Sequence, residues 1–294
     1  MELNNSIGIT STGDMGQGVA MCIKALGFNV CMASDGRSPR TRALGEKAGL
    51  TDCGSLEKLV QTCDMVLSVL DPGAAVTNAR AIAAACKSTN RKIVFVDCNA
   101  IAPQTMSEIA DIMTAVGCTV VDAGIIGPPP RNGAKQRFYV SGPNAHLMDR
   151  INSPQIIIRV AGEKIGDASA VKMCYAALTK GSIALGTELL IAARKLGVDK
   201  TLEAEFKSSQ AELHESVLSR SASMPFKAYR WVPEMNEIAK TFEGAGLTPR
   251  IFQGASDLYA QIATTPQGKE SPEEARNKKR SGNEVINGLA DSIK

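Results

Sequence analysis

Residues 6–16 spell SIGITSTGDMG, an apolar run followed by a tight turn and the start of an amphipathic stretch. The turn has G-x-G-x-x-G spacing, with Ser11 at the place of the first glycine. In this pattern the middle glycine lets the backbone approach a pyrophosphate, and the last lets the helix pack on the strand. Gly13 and Gly16 supply both roles, and the helix N-terminus favours negative charge. We therefore expect dinucleotide binding by Ser11, Thr12, Gly13, Asp14, Met15 and Gly16.

The rest of the N-terminal half alternates short apolar runs with amphipathic stretches. The apolar runs lack period-two alternation, which is typical of parallel strands covered on both faces. The pattern predicts an α/β, doubly wound parallel sheet of the Rossmann type over residues 1–162. The expected strands are Ser6–Ser11, Phe28–Ala33, Met65–Leu70, Lys92–Asp97, Cys118–Ala123, Arg137–Ser141 and Gln155–Val160, and the expected helices are Met15–Leu26, Gly73–Cys86 and Pro103–Val116.

The C-terminal part, residues 163–294, has almost no β-rich window. Its helical runs predict a second, all-helical domain. The tail after Thr265 is compatible with a peripheral helix or with partial disorder. The expected helical runs are Ala168–Leu196, Thr201–Arg220, Pro233–Ala245 and Ala255–Ala263.

Composition excludes several other classes of protein. The 294 residues carry a formal net charge of +3 and no basic stripe with interleaved aromatics, so we expect no nucleic-acid partner. The polar start is unlike a secretory signal, and no apolar run approaches the roughly 20 residues of a membrane span. The eight cysteines form no C-x-x-C pair, which indicates a reduced, cytoplasmic setting. His146 and His214 lack ligand-like companions, so we expect no metal.

The residues after the second strand bear on the choice of cofactor. An acidic residue there binds the ribose 2′-hydroxyl of NAD, whereas an arginine accommodates the 2′-phosphate of NADP. Residues of both kinds follow this strand. Asp35 is acidic, whereas Arg37, Arg40 and Arg42 are basic, and Ser38 lies next to Arg37. Because Arg37 and Ser38 can supply a guanidinium and a hydroxyl to one phosphate, we favour NADP (as NADPH) over NAD. The alternative is that these arginines are solvated loop charges. Leu70, at the end of the third predicted strand, is a further expected cofactor contact.

Four segments resemble the β-hydroxyacid dehydrogenase family, which includes 3-hydroxyisobutyrate and 6-phosphogluconate dehydrogenases. The resemblance is strongest to an uncharacterised 6-phosphogluconate dehydrogenase-like branch, which the run Arg230–Met235 also resembles. It implies a Rossmann domain plus a helical domain, and a homodimer whose helical domains interlock around a small-molecule substrate. The four segments are Ile7–Gly16, Gly36–Pro39, Val96–Pro103 and Gly166–Met173.

The resemblance also implies roles for particular residues. Lys172 matches the family's catalytic lysine, which acts as the general acid/base; the alternative is a snorkelling surface lysine. Lys180 is a second candidate, either as a substrate-binding or as a proton-donating group. Helical spacing places Lys172, Tyr175, Thr179 and Lys180 on one face. We therefore count Tyr175 and Thr179 among the substrate-binding candidates, together with Trp231.

Two departures from the family pattern concern the substrate. Ala176 stands where the family has Asn, and Ile126-Gly127-Pro128 replaces the Ser-Gly-Gly that holds a substrate carboxylate. We expect Ile126 and Gly127 to line an altered, more rigid substrate loop. Asn99 follows the end of a strand, where it can hold substrate or nicotinamide, or instead bond its own loop as an Asx turn.

Three functions remain open from the sequence. The first is an NADP-dependent oxidoreductase that moves hydride between the nicotinamide and a small hydroxy or keto compound. The second is an imine reductase or reductive aminase of the same fold, favoured by Ala176 and the altered loop, and opposed by a cationic Lys172. The third is an NADPH-binding regulator without turnover, because a fold does not determine a function.

Overall fold

The computed structural model describes residues 3–130 and 134–293. The chain divides into two compact units, Met1–Met173 and Cys174–Lys294. We call them the sheet unit and the helical unit.

The sheet unit contains one eight-stranded sheet of order β3-β2-β1-β4-β5-β6-β7-β8. Reversal of the strand order beside β1 is the arrangement expected for a doubly wound fold. The strands are β1 (Ser6–Ile9), β2 (Asn29–Met32), β3 (Thr51–Asp52), β4 (Met65–Ser68), β5 (Val94–Asp97), β6 (Thr119–Ile126), β7 (Gln136–Ser141) and β8 (Ile156–Gly162).

Five helices accompany these strands in the sheet unit. The polar segment that forms the second helix buries only Gly45, so it lacks the apolar periodicity that would have predicted it. The third helix and the two-residue strand β3 were missed because they are so short. The helices are α1 (Asp14–Ala25), α2 (Pro39–Lys47), α3 (Leu56–Thr62), α4 (Ala75–Ser88) and α5 (Pro103–Thr114).

One strand pair departs from the expected parallel sheet. Strand β7 runs antiparallel to β6, whereas the other neighbouring strands are parallel. Only residues 127–135 join β6 to β7, which is too short for the crossover of a dozen or more residues that a parallel pair needs. The sheet is therefore mostly parallel, with one reversal near its edge.

The central strands are buried on both faces. Ile7 and Ile9 in β1, and Met65 and Leu67 in β4, have no exposed surface. Cys31, Val66 and Phe95 belong to a second apolar cluster on the other face. Burial of both faces explains why these strands are uniformly apolar.

The helical unit begins inside a long helix, α6 (Asp167–Lys195), and contains six more helices. The predicted run Thr201–Arg220 is two helices rather than one, because Gln210 has φ −147° and ψ 43°, which no α-helix accommodates. The others are α7 (Asp199–Ser209), α8 (Ala211–Ala222), α9 (Ala228–Gly244), α10 (Arg250–Thr264), α11 (Pro272–Lys278) and α12 (Gly282–Ser292).

The C-terminal tail is helical. Ser271 and Ser281 each begin a helix with a capping box, in which the serine hydroxyl and a glutamate three residues later satisfy backbone N–H groups. Helix α12 buries Val285, Ile286 and Leu289. Of the two alternatives for the tail, the structure supports the helix.

Helix α6 is long and apolar enough to cross a membrane by length and composition, with a mean hydropathy of 1.3 over its best window. From the sequence we expected no apolar run long enough to approach a membrane span. About half of that window, 44%, is buried inside the molecule. A core helix of a globular protein has the same length and composition.

Candidate functional site

The candidate cofactor residues follow neighbouring strands of the sheet unit. Arg37 and Ser38 come after β2, Ser11–Gly16 after β1, and Leu70 after β4. Asn99 comes after β5, and Ile126 ends β6. Since β2, β1, β4, β5 and β6 are adjacent and parallel, these residues share the carboxyl edge of the sheet, where open α/β sheets bind ligands.

The turn between β1 and α1 has the geometry that a pyrophosphate requires. A Cβ on Gly16 would lie 1.9 Å from the Ser11 carbonyl oxygen, so only glycine allows this approach of strand and helix. Gly13 is the N-cap residue of α1, and a Cβ there would meet no atom within 4 Å. No described side chain caps this helix. Its backbone N–H groups therefore fit a dinucleotide phosphate, despite Ser11.

Contacts with α2 hold the same turn in place. The buried Thr12 hydroxyl donates to the Thr41 carbonyl. The Asp14 carboxylate lies 3.3 Å from a guanidinium nitrogen of Arg40. Met15 packs against the core of the sheet unit. The negative charge of Asp14 beside the phosphate position is thus offset by a cation.

The loop after β2 presents a partly buried guanidinium. In the described residues Arg37 has no ion pair, and burial lowers the pKa of Arg37 from its ordinary value. Ser38 caps α2, its hydroxyl oxygen accepting the Thr41 N–H at 3.2 Å. Asp35 is exposed, and its backbone N–H donates to Gly54. Within the described ranges, the Arg37 charge therefore has no carboxylate partner.

Asn99 braces the ends of two strands. Its Nδ2 donates to the Ser68 hydroxyl and to the Asp97 carboxylate, both at 2.9 Å. Its Oδ1 accepts the Leu70 backbone N–H at 2.7 Å. Both side-chain donors of Asn99 are therefore used within the sheet unit, which is closer to the loop-bonding alternative than to a free substrate ligand.

Two buried carboxyl groups lie beside each other in β5 and β6. Asp97 pairs with Asp122 in the parallel register, and both are at most 1% exposed. Burial raises the pKa of Asp97 to about 7, against the lowering effect of hydrogen bonds from Asn99 and Ser68. Burial also raises the pKa of Asp122. Both groups therefore hold protons more tightly than exposed carboxyls do.

Asp122 anchors the first turn of α6. Its carboxylate accepts the backbone N–H groups of Gly166 at 2.9 Å and of Ser169 at 3.1 Å. It also accepts the hydroxyls of Ser169 at 2.7 Å and Ser141 at 2.8 Å. Asp122 was not among the site residues predicted from the sequence, although an aspartate inside the apolar run of β6 is a visible signal.

Lys172 lies where the first turns of α6 pack closely against β6. A Cβ on Gly124 would come within 2.8 Å of the Lys172 Cβ and 3.0 Å of the Ala168 carbonyl oxygen. Lys172 is half-buried, as its apolar surroundings in the sequence predict. The same contacts keep the first turns of α6 within the sheet unit, which extends to Met173.

The loop after β6 is fastened to the sheet unit. Ile126 is buried, and Gly127 has φ +140°, which L side chains rarely adopt. The Gln136 side-chain amide donates to the Pro128 carbonyl. Pro130 lies against α1, where a Cβ on Gly18 would be 2.7 Å from its Cδ. Prolines and these contacts give the described part of this loop, residues 127–130, a largely apolar surface held against the sheet unit.

The remaining candidates belong to the helical unit. The Lys180 ammonium lies 2.5 Å from the Glu234 carboxylate, and 5.4 Å from the centre of the Trp231 ring. The Tyr259 hydroxyl donates to the Lys180 carbonyl at 2.7 Å, and its ring meets Trp231 edge-on. Sequence reasoning missed Tyr259, because only tertiary packing brings α10 to α6. Lys180 is therefore a paired cation.

Tyr175 and Thr179 lie outside the contacts that join Lys180, Glu234, Trp231 and Tyr259. Tyr175 is 48% exposed. The Thr179 hydroxyl donates to the Tyr175 carbonyl of its own helix at 3.1 Å. Throughout the described ranges no cluster of His, Cys, Asp and Glu could hold a metal ion, and the eight cysteines are free thiols.

Two family models match the chain. The model for the NAD binding domain of 6-phosphogluconate dehydrogenase covers residues 6–153, which is half of the chain. A domain of unknown function, DUF1932, covers residues 193–262 in the helical unit.

Individual proteins agree with these matches. A solved structure of the conserved protein MTH1747, described as similar to 3-hydroxyacid dehydrogenases, is 28% identical, covers 88% of this chain and 96% of its own, and has a TM-score of 0.63. The mitochondrial 3-hydroxyisobutyrate dehydrogenase of Drosophila melanogaster is 25% identical over 69% of this chain and 63% of its own length. An imine reductase from Myxococcus stipitatus, solved with NAD+, shares the fold at 14% identity, with a TM-score of 0.53 over 94% of this chain and 99% of its own.

Proposed function

We propose a specific reaction for this chain on the premise that it belongs to the β-hydroxyacid dehydrogenase-like family. The chain is an NAD(P)-dependent oxidoreductase whose nucleotide-binding domain is the sheet unit. Our proposal concerns the cofactor that it prefers, the residues that move the proton, and its state of assembly.

NADP, as NADPH in the reductive direction, is the proposed cofactor. Arg37 supports this choice because its half-buried guanidinium forms no ion pair in the described ranges 3–130 and 134–293. A 2′-phosphate beside it would gain a charge-assisted hydrogen bond that the NAD ribose does not offer. Ser38 adds a hydroxyl next to it, and Asp35 is exposed. The pyrophosphate would lie at Gly13, and Leu70 would border the nucleotide.

Lys172 is the proposed general acid/base. The bound nicotinamide supplies or accepts the hydride, and Lys172 would give a proton to, or take one from, the substrate oxygen. The observation that carries this proposal is the packing of Lys172 against Gly124 of β6, whose carboxyl edge continues the edge that holds the Gly13–Gly16 turn. We propose that Asn99 acts from the same edge by fixing the backbone of Leu70.

The substrate contacts are proposed from both units separately. In the sheet unit, Ile126 and Gly127 would present the rigid loop to a small hydroxy or keto compound. In the helical unit, Trp231 would offer an aromatic surface, and Tyr175 and Thr179 an exposed and a half-exposed contact. Lys180 would act there as a charge held in place by Glu234 rather than as a proton donor.

We further propose a cytoplasmic homodimer with interlocked helical units. Leu178 and Leu185 are 75% and 68% exposed, and they lie seven residues apart on one face of α6. Such an apolar stripe is typical of a helix that packs against another helix. Light scattering that gives the mass of a monomer at micromolar concentration would contradict the dimer.

The cofactor proposal is tested by fluorescence titration with NADPH and NADH. We expect NADPH to bind at least tenfold more tightly, a difference of about 1.4 kcal/mol. Arg37→Ala should remove that preference, whereas Lys47→Ala, an exposed lysine at the end of α2, should keep it. Equal binding of both nucleotides to the wild type would disprove the preference for NADP.

The catalytic proposal is tested with a panel of carbonyl and imine substrates. Lys172→Ala should lower kcat for carbonyl reduction by about 10²–10⁴-fold without changing NADPH affinity, since a positioned acid/base contributes that much. Lys164→Ala is the matched control, because Lys164 is exposed on the loop before α6.

Turnover of imines that survives Lys172→Ala would favour the imine reductase alternative, which Ala176 and the Ile126-Gly127-Pro128 loop support. NADPH binding with no turnover of any substrate would favour a regulator.

A further inference from the structure

Several cations of the helical unit lie close together at the start of α9. The ammonium of Lys227 is near enough to Arg230, Arg276 and Lys180 for each of their charges to act on it. Lys227 is half-buried, its Nζ donates to the Ser223 hydroxyl at 3.1 Å, and it lies 5.0 Å from the centre of the Phe226 ring.

Only some of these cations have a carboxylate nearby. Lys180 is bound to Glu234 at 2.5 Å, and Arg276 lies 4.0 Å from Glu273. Across the described ranges, Lys227 and Arg230 form no ion pair with any carboxylate. Burial, and then the neighbouring cations, lower the pKa of Lys227 to about 8. This part of the surface therefore carries positive charge that the helical unit does not neutralise.

The backbone adds to the same positive potential. Lys227 is the N-cap residue of α9, Arg230 is in its first turn, and the first turn contains no acidic residue. The N-terminal end of a helix carries partial positive charge and favours anions, so cations there are unfavourable for the folded chain alone. No side chain in the described residues caps α9 either. Charge, burial and helix polarity all point to an external anion.

We propose that Ser223, Lys227 and Arg230, which we call the oxyanion site, bind a carboxylate or phosphate group of a small ligand. Lysine and arginine bind such groups through charge-assisted hydrogen bonds, and a serine hydroxyl supplies a further donor.

Trp231 makes the site directly measurable. It is the only tryptophan of the chain, and it follows Arg230 on α9. We would titrate the full-length protein with sodium sulfate at constant ionic strength, set with sodium chloride, and follow Trp231 fluorescence. Sulfate keeps its charge across the pH range used, so any pH dependence reports the protein. We expect saturable binding at pH 7, and at least tenfold weaker binding in Lys227→Met.

Two further variants test whether the loss of sulfate binding is specific to the oxyanion site. Arg230→Gln, at an exposed position, should also weaken sulfate binding several-fold without affecting the fold. Lys240→Met, at an exposed position near the other end of α9, should bind sulfate like the wild type. Saturable binding that is unchanged in Lys227→Met and Arg230→Gln, or the absence of saturable binding in the wild type, would overturn the site.

The pH dependence gives a second readout. The charged groups facing Lys227 are Arg230 from α9, Arg276 from α11, and Lys180 with its partner Glu234. Arginines keep their charge at pH 9. Sulfate affinity should therefore fall as the pH rises through about 8, where Lys227 loses its proton, and this fall should be absent in Lys227→Met. A wild-type affinity that is constant from pH 7 to 9 would contradict the role of Lys227.

Discussion

The carboxyl edge of the sheet and the start of α9 both favour anions, but they do so by different means. At the sheet edge, Gly13 and Gly16 expose backbone N–H groups of α1, and the nearby Asp14 is matched by Arg40. At α9, the charge comes from the side chains of Lys227 and Arg230, and the burial of Lys227 and the repulsion from its neighbouring cations lower the pKa of Lys227. The first site is made by close backbone packing, and the second by unmatched charge.

This difference has a thermodynamic consequence. A backbone site costs the folded protein little when no ligand is bound, because its N–H groups face water. A cluster of cations costs stability until an anion arrives, because like charges repel. The sheet edge should therefore be sensitive to added volume, whereas the helical unit should be sensitive to changes in charge.

The largest expected change in ligand affinity tests the packing side of the comparison. Gly16→Ala places a Cβ 1.9 Å from a backbone oxygen, so the turn must shift and NADPH affinity should fall more than about 100-fold, or about 3 kcal/mol. Thermal unfolding should also occur at a lower temperature. Gly13→Ala is the matched variant, since its Cβ meets no protein atom and its φ of −60° suits alanine. It should lose nucleotide affinity but keep its Tm; an equal fall in Tm for both variants would contradict this account.

A second expected effect concerns the anchor of α6. Asp122→Ala leaves the N–H groups of Gly166 and Ser169 and two buried hydroxyls without their acceptor. The free energy of unfolding should fall by about 3–5 kcal/mol, because buried donors lose their hydrogen bonds. Urea denaturation would measure it, with the exposed Asp111→Ala on α5 as control. A loss below about 1 kcal/mol would show that these groups find other partners.

The ion pair of the helical unit tests the charge side. Glu234→Gln leaves the Lys180 ammonium, whose side chain is 15% exposed, without its counter-charge. We expect about 3 kcal/mol of destabilisation, since breaking one partner of a buried pair leaves the other uncompensated. Exposed Glu212→Gln on α8 is the control and should change stability little. If both variants unfold at the same urea concentration, the pair adds nothing to stability.

The last expected effect, the smallest when counted per pH unit, is a dependence of stability on pH. In the unfolded chain Asp97 titrates near its ordinary value of about 4, and in the folded chain its pKa is about 7. Between these values the folded state binds more protons, so stability should fall as the pH rises from 4 to 7, by at most about 1.4 kcal/mol per pH unit for one group. Asp122, whose pKa is also raised, acts in the same direction.

Urea midpoints measured at several pH values in this window would test the slope. Asp97→Asn should reduce it, although the variant is less stable because Asn99 loses an acceptor. An identical slope in the variant would mean that Asp97 does not titrate in this range.

The sequence predicted the sheet edge better than the helical site. The motif around Gly13 and Gly16 is local, so its geometry follows from spacing, and most strands were predicted because burial on both faces leaves an apolar signature. Asp122 and Tyr259 depend on which elements pack together, and this information is spread over distant parts of the chain. The direction of β7 was missed for another reason, since only loop length reveals it. Lys227 carries no motif at all.

Helix α6 runs through the division between the units at Met173 and Cys174 without interruption. The chain therefore has no flexible linker at this point where a protease, an engineer or a recombination event could separate the halves. A fragment ending at Met173 would lose its helix after two turns, together with the hydrogen bonds that the next turn supplies. Exchange of the helical half between relatives should thus succeed at a junction in the loop between β8 and Asp167, and fail at the division itself.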